Sequence, residues 1–179
     1  MKELLLHSCC APCSSAIIEW MLANDFKPVV YYSNSNIFPK EEYLIRKNEI
    51  TRYAQQLGLS IIDDDYDHEL WKTHIKGLES EPERGGRCLE CFKFRLLRAA
   101  HKCSQLGLEL FTTTLASSRW KSLEQINAAG RWAASQVGGI EFWERNWRKG
   151  GLQERRNQLL KQNNFYNQLY CGCEFSLNS

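Results

Sequence analysis

Short apolar runs alternate with longer amphipathic segments along this chain of 179 residues. The first apolar run is Leu4-Leu5-Leu6, and β-branched or aromatic runs of similar length recur later, as in Val29-Val30-Tyr31-Tyr32. Such runs are typical of strands buried in a sheet, whereas apolar residues three or four positions apart are typical of helices. The pattern predicts strands at 4–6, 29–32, 59–62, 110–113 and 140–143, and helices at 14–24, 39–57, 90–106, 122–134 and 155–162.

The alternation of strands and helices predicts an α/β fold with a parallel sheet and helices on both faces, which is a three-layer arrangement. No repeat, low-complexity tract or linker divides residues 1–179, so we expect them to form one domain. Ligands of such sheets bind beyond the carboxyl ends of the strands. The predicted loop at residues 7–13 follows the first strand, and we therefore expect it to lie at a functional site.

The hydropathy pattern also predicts the compartment. No apolar run approaches the roughly 20 residues that span a membrane, and the first residues lack the pattern of a secretory signal. We therefore expect a cytoplasmic protein without membrane association. Eight cysteines in such a protein indicate metal binding or redox chemistry rather than structural disulfides.

Two separated cysteine motifs carry the strongest chemical signal. Cys9, Cys10 and Cys13 lie within five residues, next to a predicted helix start whose unpaired N–H groups favour thiolates. Cys88 and Cys91 form a Cys-x-x-Cys pair, also at a predicted helix start. Two cysteines from each motif would complete a four-thiolate set, which suits either a [4Fe–4S] cluster or a structural zinc ion.

A third pair, Cys171 and Cys173, is separated by a single glycine. A disulfide across so short a loop is strained and easily reduced, which favours a redox role over a structural one. The alternative is a pair of thiols in a disordered terminus. Cys103 lies on the apolar side of its predicted helix, and we interpret it as a core residue.

Residues 131–161 combine basic side chains with Trp132, Trp143 and Trp147. Such a mixture is typical of surfaces that bind an RNA backbone and stack on its bases. A solvated helix face with tryptophans in the core would give the same pattern. The chain contains neither a Walker A sequence nor a Gly-x-Gly-x-x-Gly motif after the first strand, so the standard loops for ATP and NAD are not expected.

The cysteine pairs stand among other short motifs in a defined order. These motifs are His7-x-Cys9-Cys10-Ala11-Pro12; Tyr32-x-Asn34-x-Asn36-Ile37 with Pro39, Glu42, Tyr43 and Arg46; Arg87-Cys88-x-x-Cys91; Thr112-Thr113-Thr114-Leu115 with Ser117; Arg148-Lys149-Gly150; and Tyr170-Cys171-Gly172-Cys173 with Ser176. In their order and spacing over nearly the whole chain, they resemble the QueH family of epoxyqueuosine reductases.

The resemblance implies a Rossmann-like fold of the adenine-nucleotide α-hydrolase (HUP) type, with cysteine-rich loops and a C-terminal helical tail. It implies reduction of the epoxide of epoxyqueuosine to give queuosine at the wobble position of a tRNA with a GUN anticodon, the last step of queuosine biosynthesis. It also implies a second partner, an electron donor that the sequence does not identify.

The resemblance further implies a role for each group of cysteines. Cys9, Cys10, Cys88 and Cys91 would bind a [4Fe–4S] cluster, and Cys171 and Cys173 would form a redox-active disulfide. An additional iron beside the cluster is expected for some members of the family. Cys13, which stands where some members have aspartate, is the candidate catalytic or metal-binding group beside the cluster.

Two other functions fit the same thiols. A zinc- or cluster-stabilised RNA-binding protein would use them only for structure and would have no redox activity. A thioredoxin-like dithiol oxidoreductase would use Cys10-Ala11-Pro12-Cys13, which follows a strand and opens a helix. Cys9, Cys88 and Cys91 are surplus to that chemistry.

Overall fold

A computed structural model describes residues 1–176, in which five strands alternate with six α-helices. The strands are β1 (Lys2–Ser8), β2 (Phe26–Tyr32), β3 (Ile61–Asp63), β4 (Leu110–Thr113) and β5 (Glu141–Phe142). The helices are α1 (Ala11–Ala23), α2 (Lys40–Gln56), α3 (His68–His74), α4 (Gly86–Gln105), α5 (Leu123–Val137) and α6 (Leu152–Gln162). Short 3₁₀ turns lie at Thr114–Ser117 and Glu174–Ser176.

The five strands form one parallel sheet in the order β3-β2-β1-β4-β5. His7 of β1 lies opposite Tyr31 of β2 and Thr113 of β4, so the three strands end at the same edge. The strand order reverses between β1 and β4, because the chain crosses there to the other side of β1. The carboxyl ends of β1 and β4 therefore form a topological switch point, the usual ligand site of such a sheet.

Helices cover both faces of the sheet, which confirms the predicted three-layer α/β fold. Helix α1 packs against α2 and α6, while α4 packs against α5. Since parallel crossovers are right-handed, the reversal of strand order places these two groups of helices on opposite faces. Strand β1 lies between them, and its Leu4-Leu5-Leu6 run is completely buried. No helix within residues 1–176 combines the length and the apolar character needed to cross a bilayer.

Two local predictions were wrong. The helix expected from Ser14 begins at Ala11, because Pro12 fits the first turn of a helix. Ser14 lies within this helix, and its hydroxyl donates to the Cys10 carbonyl. Cys13 therefore lies on α1 and not in a loop. The segment before α4 contains an unpredicted helix, α3, which Asp67 caps through its side chain. The other predicted strands and helices are present, most with ends shifted by a few residues.

Gly130 sets how closely α5 approaches β5. A methyl group at this position would overlap the ring of Phe142, which is buried. Alanine normally stabilises a helix relative to glycine by about 1 kcal/mol, yet we expect Gly130→Ala to lower the free energy of unfolding by about 1–3 kcal/mol through overpacking. Urea denaturation measures this effect, with Gln136→Ala at an exposed position of the same helix as the control. A stabilised Gly130→Ala variant would contradict the prediction.

Candidate metal and redox site

The first cysteine motif lies at the switch point between β1 and β4. Cys9 and Cys10 directly follow β1, and Cys13 occupies the first turn of α1. The Cys9 N–H donates to Thr114 Oγ1 at 3.1 Å, and the same hydroxyl oxygen lies 3.2 Å from the Cys9 sulfur. Because Thr114 follows β4, both strands that define the switch point position this thiol.

The sulfur atoms of Cys9, Cys10 and Cys13 lie within 4.8 Å of one another, and all three side chains are buried. The Cys9 and Cys10 sulfurs are 3.7 Å apart. Gln168, from the segment that follows α6, donates to Cys10 Sγ at 3.0 Å. Buried thiols at this spacing can hold a soft metal ion.

These three thiols differ in proton affinity. Hydrogen bonds from Cys10 and Cys13 hold the pKa of Cys9 well below its usual range. Burial raises the pKa of Cys10 to about 11. Hydrogen bonds to Cys10 and Cys9 raise the pKa of Cys13 well above its usual range. Cys9 is therefore the member of the group that gives up its proton most readily, and a metal ion bound by all three would displace the protons that remain.

The second and third cysteine motifs meet beside the start of α4. Cys88 and Cys91 lie in its first turns, outside the close group of three. Cys88 lines a small cavity together with Cys171 and Cys173. Cys91 and Cys173 belong to one buried apolar cluster that includes Trp71 of the unpredicted helix α3. Burial raises the pKa of Cys88, and it raises the pKa of Cys91 to about 11.

The segment after α6 is held against the rest of the fold by Arg46 of α2. The Arg46 guanidinium donates to the carbonyls of Tyr170 at 3.1 Å and Cys171 at 3.0 Å. The Phe38 N–H donates to the Gly172 carbonyl at 2.9 Å. Gly172 has a φ of 142°, and a Cβ there would crowd the Arg46 guanidinium, so the position favours glycine. The third motif is therefore ordered by main-chain contacts that leave both of its thiols free.

Two buried cations face the thiols. Lys121 is 6% exposed and lines the same cavity as Cys88. Burial alone would lower the pKa of Lys121, yet this pKa is raised, because Cys171 and Cys9 lie close enough to favour the ammonium. Arg95 of α4 is buried, with a guanidinium nitrogen 4.0 Å from the sulfur of the cysteine one turn earlier. Within residues 1–176 neither cation pairs with a carboxylate. Since unpaired buried charges are costly, the site suits an anionic group.

Other predictions from the sequence had mixed outcomes. Cys103 is fully buried, which confirms its interpretation as a core residue. Trp147 is also fully buried, and the ring centroid of Trp143 lies 6.1 Å from that of Trp20. The Arg145 guanidinium carbon lies 4.1 Å from the Trp20 centroid. For this part of residues 131–161, the structure favours the alternative of tryptophans in the core over base-stacking rings.

Comparison with known proteins decides the family. A family model described as epoxyqueuosine reductase QueH matches residues 4–179. The chain belongs to the QueH family. The epoxyqueuosine reductase QueH of Histophilus somni is 46% identical over 98% of this chain and 72% of its own length. That of Acinetobacter baylyi is 46% identical over 98% of this chain and 80% of its own length. That of Thermotoga maritima is 33% identical over 99% of this chain and 91% of its own length.

Three residues at this QueH site were missed by the sequence reasoning. Arg95 stands one turn after Cys91 on the helix that carries the second motif, and Lys121 follows the fourth predicted strand. The positions of Arg95 and Lys121 in the sequence could have indicated a role at the site, because the start of that helix and the end of that strand lie at the edge of the switch point. Gln168 offered no signal, since nothing in the sequence places residues 163–170 against Cys10.

Proposed function

We infer that this chain is an epoxyqueuosine reductase that acts on epoxyqueuosine in tRNA. The observation that carries this inference is the gathering of three cysteine motifs near one edge of the sheet, in a chain of the QueH family. The curated relatives that cover most of the chain bear this name. The product would be queuosine at the wobble position of a tRNA with a GUN anticodon, formed in the cytoplasm by a single domain.

We propose that Cys9, Cys10, Cys88 and Cys91 hold a [4Fe–4S] cluster and that Cys13 contributes to a site for an additional iron. Thiolates are the ligands of such clusters, and the buried cations beside the thiols suit an anionic group. When bound, the cluster would relay electrons one at a time, and the additional iron would polarise the epoxide oxygen.

The dithiol of Cys171 and Cys173 would supply the two electrons of each turnover. Conversion of an epoxide to an alkene releases one oxygen as water and consumes two electrons and two protons. Oxidation of two thiols to one disulfide yields two electrons and two protons, so one dithiol balances one turnover. Arg46 and Phe38 would hold the pair near Cys88 through main-chain contacts. A further partner, the electron donor, would reduce the disulfide again.

The test is an anaerobic assay on tRNA that carries epoxyqueuosine, with mass spectrometry of the released nucleosides. We expect loss of one oxygen, catalysed by a brown protein that contains about four irons and four sulfides. A colourless zinc protein that binds RNA without removing oxygen would instead support a structural role for the thiols. Disulfide reduction that persists without metal would support a thioredoxin-like oxidoreductase. Either result, without loss of oxygen, overturns the proposal.

Removal of the Lys121 charge is expected to lower the reduction potential of the metal centre, because a buried cation favours the added electron. An interaction of about 1–2 kcal/mol corresponds to roughly 50–100 mV for a one-electron couple. Spectroelectrochemical titration of Lys121→Gln measures the shift. Lys76→Gln at an exposed position makes the same change in net charge, and solvent screening should limit its effect to about 20 mV. Equal shifts in the two variants would rule out a specific role for Lys121.

A further inference from the structure

A cleft of about 440 Å³ opens beside the thiol group. Its walls come from α6, from the segment that follows β4 and from the segment that follows α6. Its volume lies within the range of roughly 300–1,000 Å³ found for ligand pockets. Cys13 forms part of the lining, so a ligand in the cleft would lie next to the buried thiols.

The cleft presents two guanidinium groups and one indole ring. Arg119 and Trp120 lie on the segment after β4, and Arg156 lies on α6. Within residues 1–176 neither of these arginines forms an ion pair, unlike Arg131, which pairs with Glu144. Arg156 donates to Asn157 Oδ1 at 3.2 Å, and the Arg119 guanidinium carbon lies 5.9 Å from the centroid of the Trp120 ring. Neither contact neutralises the guanidinium charge, so both groups can bind phosphate. A partly exposed indole offers a face on which a base can stack.

The segment that carries Arg119 and Trp120 is fixed by its surroundings. Arg84 donates to the Arg119 carbonyl at 2.6 Å and to the Trp120 carbonyl at 3.3 Å. The backbone N–H of Trp120 donates to Ser118 Oγ at 3.2 Å, and the Arg148 guanidinium donates to the Ser118 carbonyl. Because this backbone is already ordered, a ligand would bind with a smaller loss of conformational entropy.

We propose that the cleft binds the modified nucleotide of the tRNA substrate, with Trp120 stacked on its base and with Arg119 and Arg156 on the adjoining phosphates. This proposal rests on the proposed function. A base in an anticodon loop must leave its stack to reach a buried reactive group, and the turned-out base then needs an apolar surface. Trp120 supplies one, and Leu169, which is 88% exposed, extends the apolar surface of the cleft.

Fluorescence anisotropy with an anticodon stem-loop RNA that carries epoxyqueuosine tests the proposal. The protein is first oxidised at the dithiol and kept without reductant, so that no turnover occurs. Each charge-assisted contact contributes roughly tenfold to affinity, so we expect Arg119→Met with Arg156→Met to weaken binding roughly 100-fold. The slope of log affinity against log salt should fall by roughly 0.7 for each lost phosphate contact. Trp120→Leu should weaken binding roughly tenfold with an unchanged salt slope.

The matched control is Arg52→Met with Arg131→Met, which removes two surface arginines that pair with glutamates outside the cleft. This variant has the same net charge as the cleft double variant, and its affinity should change by less than about threefold. Trp120→Phe keeps an aromatic ring and should retain the affinity, which separates stacking from a structural role.

Wild-type affinity in both cleft variants, or an equal loss in the charge-matched control, would overturn the proposal. Loss of oxygen from epoxyqueuosine by the wild-type protein is measured separately in the same preparation. If the wild type removes oxygen but the cleft variants bind normally, the cleft proposal fails and the proposed function stands. If the wild type removes no oxygen, the proposed function fails.

Discussion

Serine in place of Cys10 or Cys88 is expected to remove most of the bound iron and to slow oxygen removal from epoxyqueuosine at least about 1,000-fold. The two residues come from different motifs, and each would supply one of four thiolates. A serine hydroxyl is a poor substitute, because it stays protonated near neutral pH and is a harder ligand than a thiolate. Absorption near about 400 nm and iron and sulfide content report the metal centre, and nucleoside mass spectrometry reports turnover.

The matched control is Cys103→Ala, which removes a buried thiol from the same helix as Cys88. The Cys103 sulfur donates to the Leu108 carbonyl at 3.4 Å and has no contact with the other cysteines. We expect this variant to lose about 1 kcal/mol of stability while it keeps its colour and turnover. Full iron content and normal turnover in Cys88→Ser would exclude Cys88 from the ligand set. Loss of colour in Cys103→Ala would show that the metal centre responds to any change in the core of α4.

Serine in place of both Cys171 and Cys173 is expected to leave the metal centre intact and still slow turnover about 100-fold or more. The variant keeps the main-chain hydrogen bonds from Arg46 and Phe38, so the segment should stay docked. Without the two thiols, however, it can no longer supply two electrons. Initial rates under a reducing system that recycles disulfides measure the effect.

A single-turnover experiment separates this electron supply from a structural effect. Wild-type protein that is first reduced and then freed of reductant should convert up to about one equivalent of epoxyqueuosine, because one dithiol balances one epoxide. The double variant, prepared in the same way, should convert much less, although its iron content is unchanged. Equal conversion by the two proteins would mean that the dithiol is not the source of electrons.

The fold could be predicted from the sequence because its signals are local and agree with one another. The Leu4-Leu5-Leu6 run and the β-branched run of β2 differ clearly from the amphipathic helices between them, and parallel pairing then follows from the crossovers. Helix α3 was missed because seven residues are too few to show a helical period. Its capping residue, Asp67, also lies among several other acidic residues, which hid the signal.

Only those parts of the candidate site that lie in the cysteine motifs could be predicted from the sequence. The spacing within each cysteine motif shows which thiols share a turn, and the end of β1 places the first motif at the sheet edge. No local pattern shows that Lys121 lies near Cys9 and Cys171, because that contact depends on how β4 leaves the sheet and how the chain after α6 returns. The two interpretations of the tryptophans at 143 and 147 stayed open for a similar reason, since their packing against Trp20 joins residues more than 100 positions apart.

The hydrogen bond between Gln168 and Cys10 joins residues 158 positions apart. At a synthesis rate of roughly 5–20 residues per second, Cys9, Cys10 and Cys13 are made about 10–30 s before Gln168. During that interval they are open to oxidants and to metals that bind thiols more tightly than iron does. These thiols are therefore more open to such reactions in a newly made chain than in the folded protein, where all three are buried.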